Sequence, residues 1–280
     1  MKIKIISDST CDLSAQQIAQ NDITLTPLTV VKNDEQFKDG VTIAPADIFA
    51  HVAAGGALCS TAANSIGEYA DVFETFAADY DGIIVITIGS GFSACYQNAC
   101  LAAEDFPNVR VIDSRNLTTG QGLVVLKACE LAKTATDLDA LAEELRAYTD
   151  KIEASFVVDK LDYLVKGGRC SSAAALGANL LNLKPCIDVK DGKMSVGKKY
   201  RGNYAKCLAG YVKERLEGRE DIDESALFIT RTVVPDEAYD AVKTAVAEYG
   251  KFENIYETTA GCTISCHCGP GTLGIVFVRK

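Results

Sequence analysis

The run Gly82-Ile83-Ile84-Val85-Ile86-Thr87-Ile88 limits what this chain can become. It has no polar alternation, so a strand made from it has no face to offer water. Such a strand belongs inside a parallel sheet covered on both sides, and helices supply the cover when strands and helices alternate. Residues 2–134 show that alternation. Strands are expected at 2–7, 23–31, 82–88 and 109–113. Helices are expected at 43–54, 65–80, 93–105 and 120–134, with an earlier one capped by Asp12 or Ser14 and running to Gln20. From about residue 154 the pattern changes. Strands are expected at 154–158, 225–231, 254–257 and 275–279, and helices at 161–167, 171–181, 204–217 and 235–249. A hairpin over 184–189 and 193–200 turns at Asp191-Gly192. The sequence therefore reads as an α/β protein. A three-layer parallel-sheet domain covers residues 1–153, and a mixed α+β domain covers residues 154–280.

Composition narrows the function classes. At 280 residues and 48% apolar content the chain can bury a large core, and nothing in it is low-complexity. The apolar runs are strand-sized and fall short of a membrane span. Met1-Lys2-Ile3-Lys4-Ile5-Ile6-Ser7-Asp8 enters a strand without a signal-peptide pattern, which predicts a cytoplasmic protein. The net charge of −10 argues against nucleic acid as a partner. It leaves small anionic ligands open, because one buried arginine outweighs distant surface charge. Eleven cysteines, odd in number and dispersed, read as reduced thiols.

Ligands of open parallel sheets bind beyond the carboxyl ends of the strands. Three strands are expected to end there in polar loops: Asp8-Ser9-Thr10, Gly89-Ser90-Gly91-Phe92-Ser93 and Asp113-Ser114. The loop Ser60-Thr61-Ala62-Ala63-Asn64-Ser65 also leads into a helix. Hydroxyls beside helix N-termini suit anions, so a small anionic group is expected near Thr61 and Ser93. The alternative is an NAD(P)-dependent oxidoreductase. Gly89-Ser90-Gly91-Phe92-Ser93-Ala94 fits G-x-G-x-x-A, and Asp113 follows at the expected distance. The first strand-to-helix loop, however, is Asp-Ser-Thr rather than glycine-rich.

Residues 192–199 fall one short of a phosphate-binding P-loop, and Lys199 stands where the magnesium-binding hydroxyl is needed. No other segment offers a nucleotide triphosphate site. The C-terminal stretch from Gly261 to Gly274 holds His267, three cysteines and Gly269-Pro270-Gly271. Read as extended, it places Cys266 and Cys268 on one side and His267 on the other, which is a poor metal set. Lys166-Gly167-Gly168-Arg169 reads either as a helix cap followed by a solvated arginine or as an anion clamp. His51 has no catalytic company, and no catalytic residue or cofactor is assigned.

Several motifs together resemble the DegV family of bacterial fatty-acid-binding proteins, lipid-carrying subunits of fatty acid kinase. They are Asp8-Ser9-Thr10-Cys11-Asp12-Leu13, Pro27-Leu28-Thr29-Val30, Asp39-Gly40, the stretch from Ser93 to Ala99, Val111-Ile112-Asp113-Ser114, the stretch from Leu161 to Arg169, Leu183-Lys184-Pro185 and His267-Cys268-Gly269-Pro270-Gly271. They follow the family's order over nearly the whole chain. The resemblance implies a buried acyl chain in a tunnel between or within two domains, with the carboxylate held by Thr61 and Ser93. It implies a supporting loop that includes Asp8, Ser9, Ala62, Gly91, Phe92 and Ala94. It sets Arg169 and His267 near the headgroup, facing an ATP-dependent fatty acid kinase subunit. A carrier of this kind has no ATP site of its own and leaves room for transient membrane contact. Thr61-Ala62-Ala63-Asn64-Ser65 and Ser93-Ala94-Cys95 depart from the family's Thr-Ser-x-Pro-Ser and Ser-Gly-Thr pieces.

Overall fold

The computed structural model describes residues 1–175 and 183–280. Two compact units divide the chain. Met1–Asp150 and Gly261–Ile264 form the first, and Lys151–Ala260 and Ser265–Lys280 the second.

The first unit begins with β1 (Ile3–Asp8), α1 (Ala15–Gln20), β2 (Thr24–Thr26), β3 (Thr29–Lys32), β4 (Glu35–Lys38), α2 (Pro45–Ala53) and β5 (Ser60–Ala62). It continues through α3 (Ile66–Ala77), β6 (Gly82–Thr87), α4 (Cys95–Ala103), β7 (Val109–Asp113), α5 (Thr118–Ala132) and α6 (Leu138–Thr149). Every residue of β6 is buried. It lies inside a four-stranded sheet of order β2-β1-β6-β7, parallel throughout. The unbroken apolar run thus forms the interior strand expected of it.

One expected strand is two. Residues 23–31 break at Pro27, which has no amide to donate, and the Leu28 amide donates instead to Ser9 Oγ at 3.2 Å. β2 joins the parallel sheet, while β3 pairs antiparallel with β4 and β5 in a separate three-stranded sheet. β5 takes up Ser60, Thr61 and Ala62, where the sequence predicts a loop. The sequence reading assigns no element to α6, although Leu138, Leu141, Ala142 and Leu145 carry a helical stripe and the Asp137 side chain accepts from the Ala140 amide.

The second unit contains β8 (Ile152–Val158), α7 (Asp162–Gly167), α8 (Ser171–Ala174), β9 (Leu183–Lys190), β10 (Lys193–Arg201) and α9 (Tyr204–Leu216). β11 (Ile222–Arg231), α10 (Asp236–Tyr249), β12 (Asn254–Thr259), α11 (Cys262–Cys268) and β13 (Thr272–Arg279) complete the chain. The sheet order is β10-β9-β8-β13-β11-β12, with only β11 and β12 parallel. Leu208, Tyr211 and Val212 of α9 and Val242 and Val246 of α10 share a core with Leu227, Ile229, Leu273, Ile275 and Phe277. Asp191 (φ 52°) and Gly192 (φ 70°) turn the β9–β10 hairpin, as expected. The helix expected over 171–181 is seen as Ser171–Ala174; residues 176–182 lie outside the described residues.

The C-terminal stretch departs most from its reading. Residues 262–268 are the helix α11, not an extended loop, so the alternation inferred for Cys266, His267 and Cys268 does not hold. The helix start is capped by carboxylates far away in sequence. Asp12 Oδ1 accepts from the Gly261 amide at 2.9 Å, and Asp39 accepts from the amides of Cys262 (2.8 Å) and Thr263 (3.0 Å). Asp39 also accepts from the Thr263 hydroxyl at 2.6 Å. Capping from a distance leaves no local signature, because the N-cap side chain is normally read within the same few residues. A Cβ at Gly261 would lie 2.8 Å from Asp12 Oδ1, so a side chain there would crowd this contact.

Candidate functional site

The parallel sheet ends in a polar row. Asp8 of β1 is in register with Thr26 of β2, and Thr87 of β6 with Asp113 of β7. The strand order changes direction between β1 and β6, the place where open α/β sheets bind ligands.

Asp8 does not face that opening. It is fully buried, and burial pushes its carboxyl pKa up while its hydrogen bonds pull the other way. Oδ1 accepts from the Thr10 amide (3.1 Å), the Thr10 hydroxyl (2.5 Å) and Gln121 Nε2 (3.0 Å). Oδ2 accepts from the Ile88 amide at 2.7 Å, which braces the end of β1 to the end of β6. Ser9 Oγ donates to Asp39 at 3.1 Å. Both residues hold the loop in shape.

Thr61 lies on β5 opposite Val30, half-buried. Beyond it, Ser65 and Glu68 form a capping box that starts α3. Between them the buried Asn64 offers its carbonyl to Asn98 Nδ2 at 2.8 Å, which clips this loop to α4. Ser93, also half-buried, stands just before α4. Its Oγ accepts from the Cys95 amide (3.3 Å) and donates to Cys95 Sγ (3.2 Å). The two expected headgroup hydroxyls therefore sit on segments that the Asn98–Asn64 hydrogen bond joins. Ala62, Gly91 and Ala94 are exposed, and Phe92 turns its ring inward.

The glycine-rich turn serves packing. The Gly89 amide donates to the Asn116 carbonyl at 2.7 Å, and a Cβ on Gly89 would approach the Asn116 amide to 3.0 Å. The Asp113 carboxylate, which a dinucleotide ribose would need, accepts from the Ser90 amide (3.0 Å), the Ser90 hydroxyl (2.5 Å) and the Arg115 amide (2.9 Å). This geometry gives the oxidoreductase reading no support.

In the second unit α7 closes on Gly168 (φ 70°), a left-handed cap. The exposed Arg169 follows, and its Nη1 donates to the Gly167 carbonyl at 2.7 Å. His267 packs against the same corner: a Cβ on Gly167 would fall 2.6 Å from its Nδ1. Burial first, and then the Arg169 charge, push the imidazole pKa down to about 4. At neutral pH the pair is one cation beside one neutral ring. Gly269 (φ 73°) and Gly271 (φ 74°) turn the chain into β13, and the Gly271 carbonyl accepts from the Asp159 amide and the Tyr204 hydroxyl, both at 2.7 Å.

The sequence gives no sign that Asn98 reaches the Asn64 carbonyl or that Cys95 touches Ser93. Asn98 and Cys95 lay in a recognised motif, but nothing local marked their partners. Among the described residues no cluster suits a metal, and no helix is long and apolar enough to cross a membrane.

Comparison with known proteins extends over the full chain. The DegV family model matches residues 2–280. A DegV domain-containing protein of Clostridium perfringens is 32% identical over 285 residues, which cover 100% of this chain and 99% of the relative. A solved DegV family protein from Thermus thermophilus, described by its fatty acid binding, superposes with a TM-score of 0.90 at 28% identity and 100% coverage of both chains. A stearic acid-binding protein from Eubacterium ventriosum gives 0.85 at 27% identity, covering 99% of this chain and 98% of the other.

Proposed function

The chain belongs to the DegV family, and from that premise we propose that it binds a long-chain fatty acid and presents the carboxylate to a partner kinase. The observation that carries the reading is the full-length likeness to two structures described as binding fatty acid or stearic acid. Thr61 and Ser93 hold the carboxylate in this reading, and Asn64–Asn98 keeps their segments together. The energetics divide the work. At about 0.8 kcal/mol per methylene, a sixteen-carbon chain gains roughly 11 kcal/mol from burial before ordering costs. Each hydroxyl bond to a carboxylate adds about 1.5–3 kcal/mol. The tail supplies most of the affinity, and the hydroxyls set the orientation. Arg169 meets the partner, where a rigid cationic fork offsets the charge of a transferring phosphoryl group.

Mass spectrometry of an organic extract from the purified, denatured protein tests the reading. A stoichiometric long-chain fatty acid is expected, and a lipid-free extract together with no uptake of added stearate would contradict it. For the partner role, Arg169→Ala is expected to lower kinase-coupled acyl phosphate formation at least tenfold while leaving lipid retention unchanged.

A further inference from the structure

Cys95 is buried at the first position of α4, and its side chain touches Ser93 rather than a hydrophobic neighbour alone. The contact is reciprocal. The Cys95 amide donates to Ser93 Oγ at 3.3 Å, and the Ser93 hydroxyl donates to Cys95 Sγ at 3.2 Å. The amide occupies one lone pair of the serine oxygen, and the thiol receives its proton. A rotor that would otherwise sample three positions is thereby held in one. Burial keeps the thiol protonated, with its pKa pushed up to about 11, so the sulfur is a neutral and weak acceptor. The Tyr69 hydroxyl lies beside the same thiol and beside the Thr26 hydroxyl. This buried polar neighbourhood belongs to the same edge of the sheet as Ser93.

We propose that Cys95 is a positioning residue for the headgroup: its sulfur holds the Ser93 hydroxyl in the orientation from which it turns to a ligand carboxylate. A weak sulfur acceptor suits that task. The hydroxyl is oriented before the ligand arrives, and its proton leaves the sulfur for a charged oxygen at little cost. The inference rests on the reading that Ser93 binds a fatty carboxylate.

The test is a double-mutant cycle on stearate affinity, measured by native mass spectrometry, with thermal midpoints recorded for each variant. Cys95→Ala is expected to weaken retention about three- to fivefold, the effect of one modest neutral hydrogen bond. Cys95→Ser, which keeps an acceptor, is expected to restore it to within about twofold. In a Ser93→Ala background, Cys95→Ala is expected to have no further effect. An equal loss in both backgrounds would assign Cys95 to packing alone and overturn the proposal, as would retention unchanged by Cys95→Ala. If the substitutions unfold the chain, a crystal structure of the stearate-loaded natural protein decides. Ser93 Oγ within hydrogen-bond distance of both the carboxylate and Cys95 Sγ supports the proposal, and Ser93 turned away from the sulfur overturns it. A natural protein that retains no stearate would instead break the fatty acid reading itself.

Discussion

The carboxyl edge of the parallel sheet and the Arg169–His267 corner differ in what burial does to charge. At the sheet edge, burial pushes the carboxyls of Asp8 and Asp12 up, and their hydrogen bonds to Thr10, Gln121, Ile88, Thr118 and Gly261 hold the loops in shape. Thr61 and Ser93, the hydroxyls of the proposed headgroup site, are half-buried and uncharged. At the corner, burial pushes His267 down to about 4, and Arg169 stays exposed. One region orients by hydrogen bonds, and the other carries an accessible cation. The proposed function gives the fatty carboxylate to the first region and the partner kinase to the second.

The comparison breaks most easily at Asp8. Asp8→Ala is expected to cost roughly 3–5 kcal/mol in urea unfolding, because several buried donors each lose an acceptor worth about 1–3 kcal/mol. A loss below about 1 kcal/mol would mean that Asp8 does not brace β1 to β6.

Acid sharpens the contrast, because the two regions respond with opposite signs. His267 has a folded pKa of about 4 against an ordinary 6.5, so the unfolded chain takes up the proton first. Its contribution is complete above pH 6.5 and is lost as pH falls toward 4, up to roughly 3 kcal/mol. Asp8 and Asp12 have raised folded pKa values. Their protonation favours the native state, so stability from them rises as pH falls through those values. His267→Gln is expected to remove the loss between pH 6.5 and 4 and leave the opposing rise. An unchanged pH profile in His267→Gln would remove His267 from the account.

A smaller effect than at Asp8 or His267 is expected at the clip. Asn98→Ala deletes one hydrogen bond to the Asn64 carbonyl, worth about 1 kcal/mol, and is expected to weaken stearate retention about fivefold. Retention equal to that of the natural protein would separate the Thr61 segment from the Ser93 segment.

The two regions also differed in how far the sequence revealed them. The sheet edge was legible because a parallel strand announces itself by an unbroken apolar run, and its loop follows directly, as with residues 82–93. The break at Pro27 was visible as a proline, yet its consequence was not. Only the third-party acceptor Ser9 Oγ shows that the Leu28 amide leaves the ladder. The corner was legible in its residues and not in its shape. Gly167-Gly168-Arg169 gave the cap, but α11 is started by Asp12 and Asp39, whose distance along the chain hid the helix. The sequence marks Thr61 as a headgroup candidate and not as part of a strand, because three residues of β5 are too few to carry a period. Cys95 was invisible as a partner of Ser93, since two residues apart in sequence says nothing about where a thiol points.

The central claim is that Thr61 and Ser93 receive a fatty carboxylate. Carbon NMR of the protein loaded with stearate labelled at the carboxyl carbon tests it most directly. A single bound resonance, distinct from free and micellar stearate and displaced in both Thr61→Ala and Ser93→Ala but not in Arg169→Ala, is the expected result. A bound resonance that neither hydroxyl substitution moves would contradict the account.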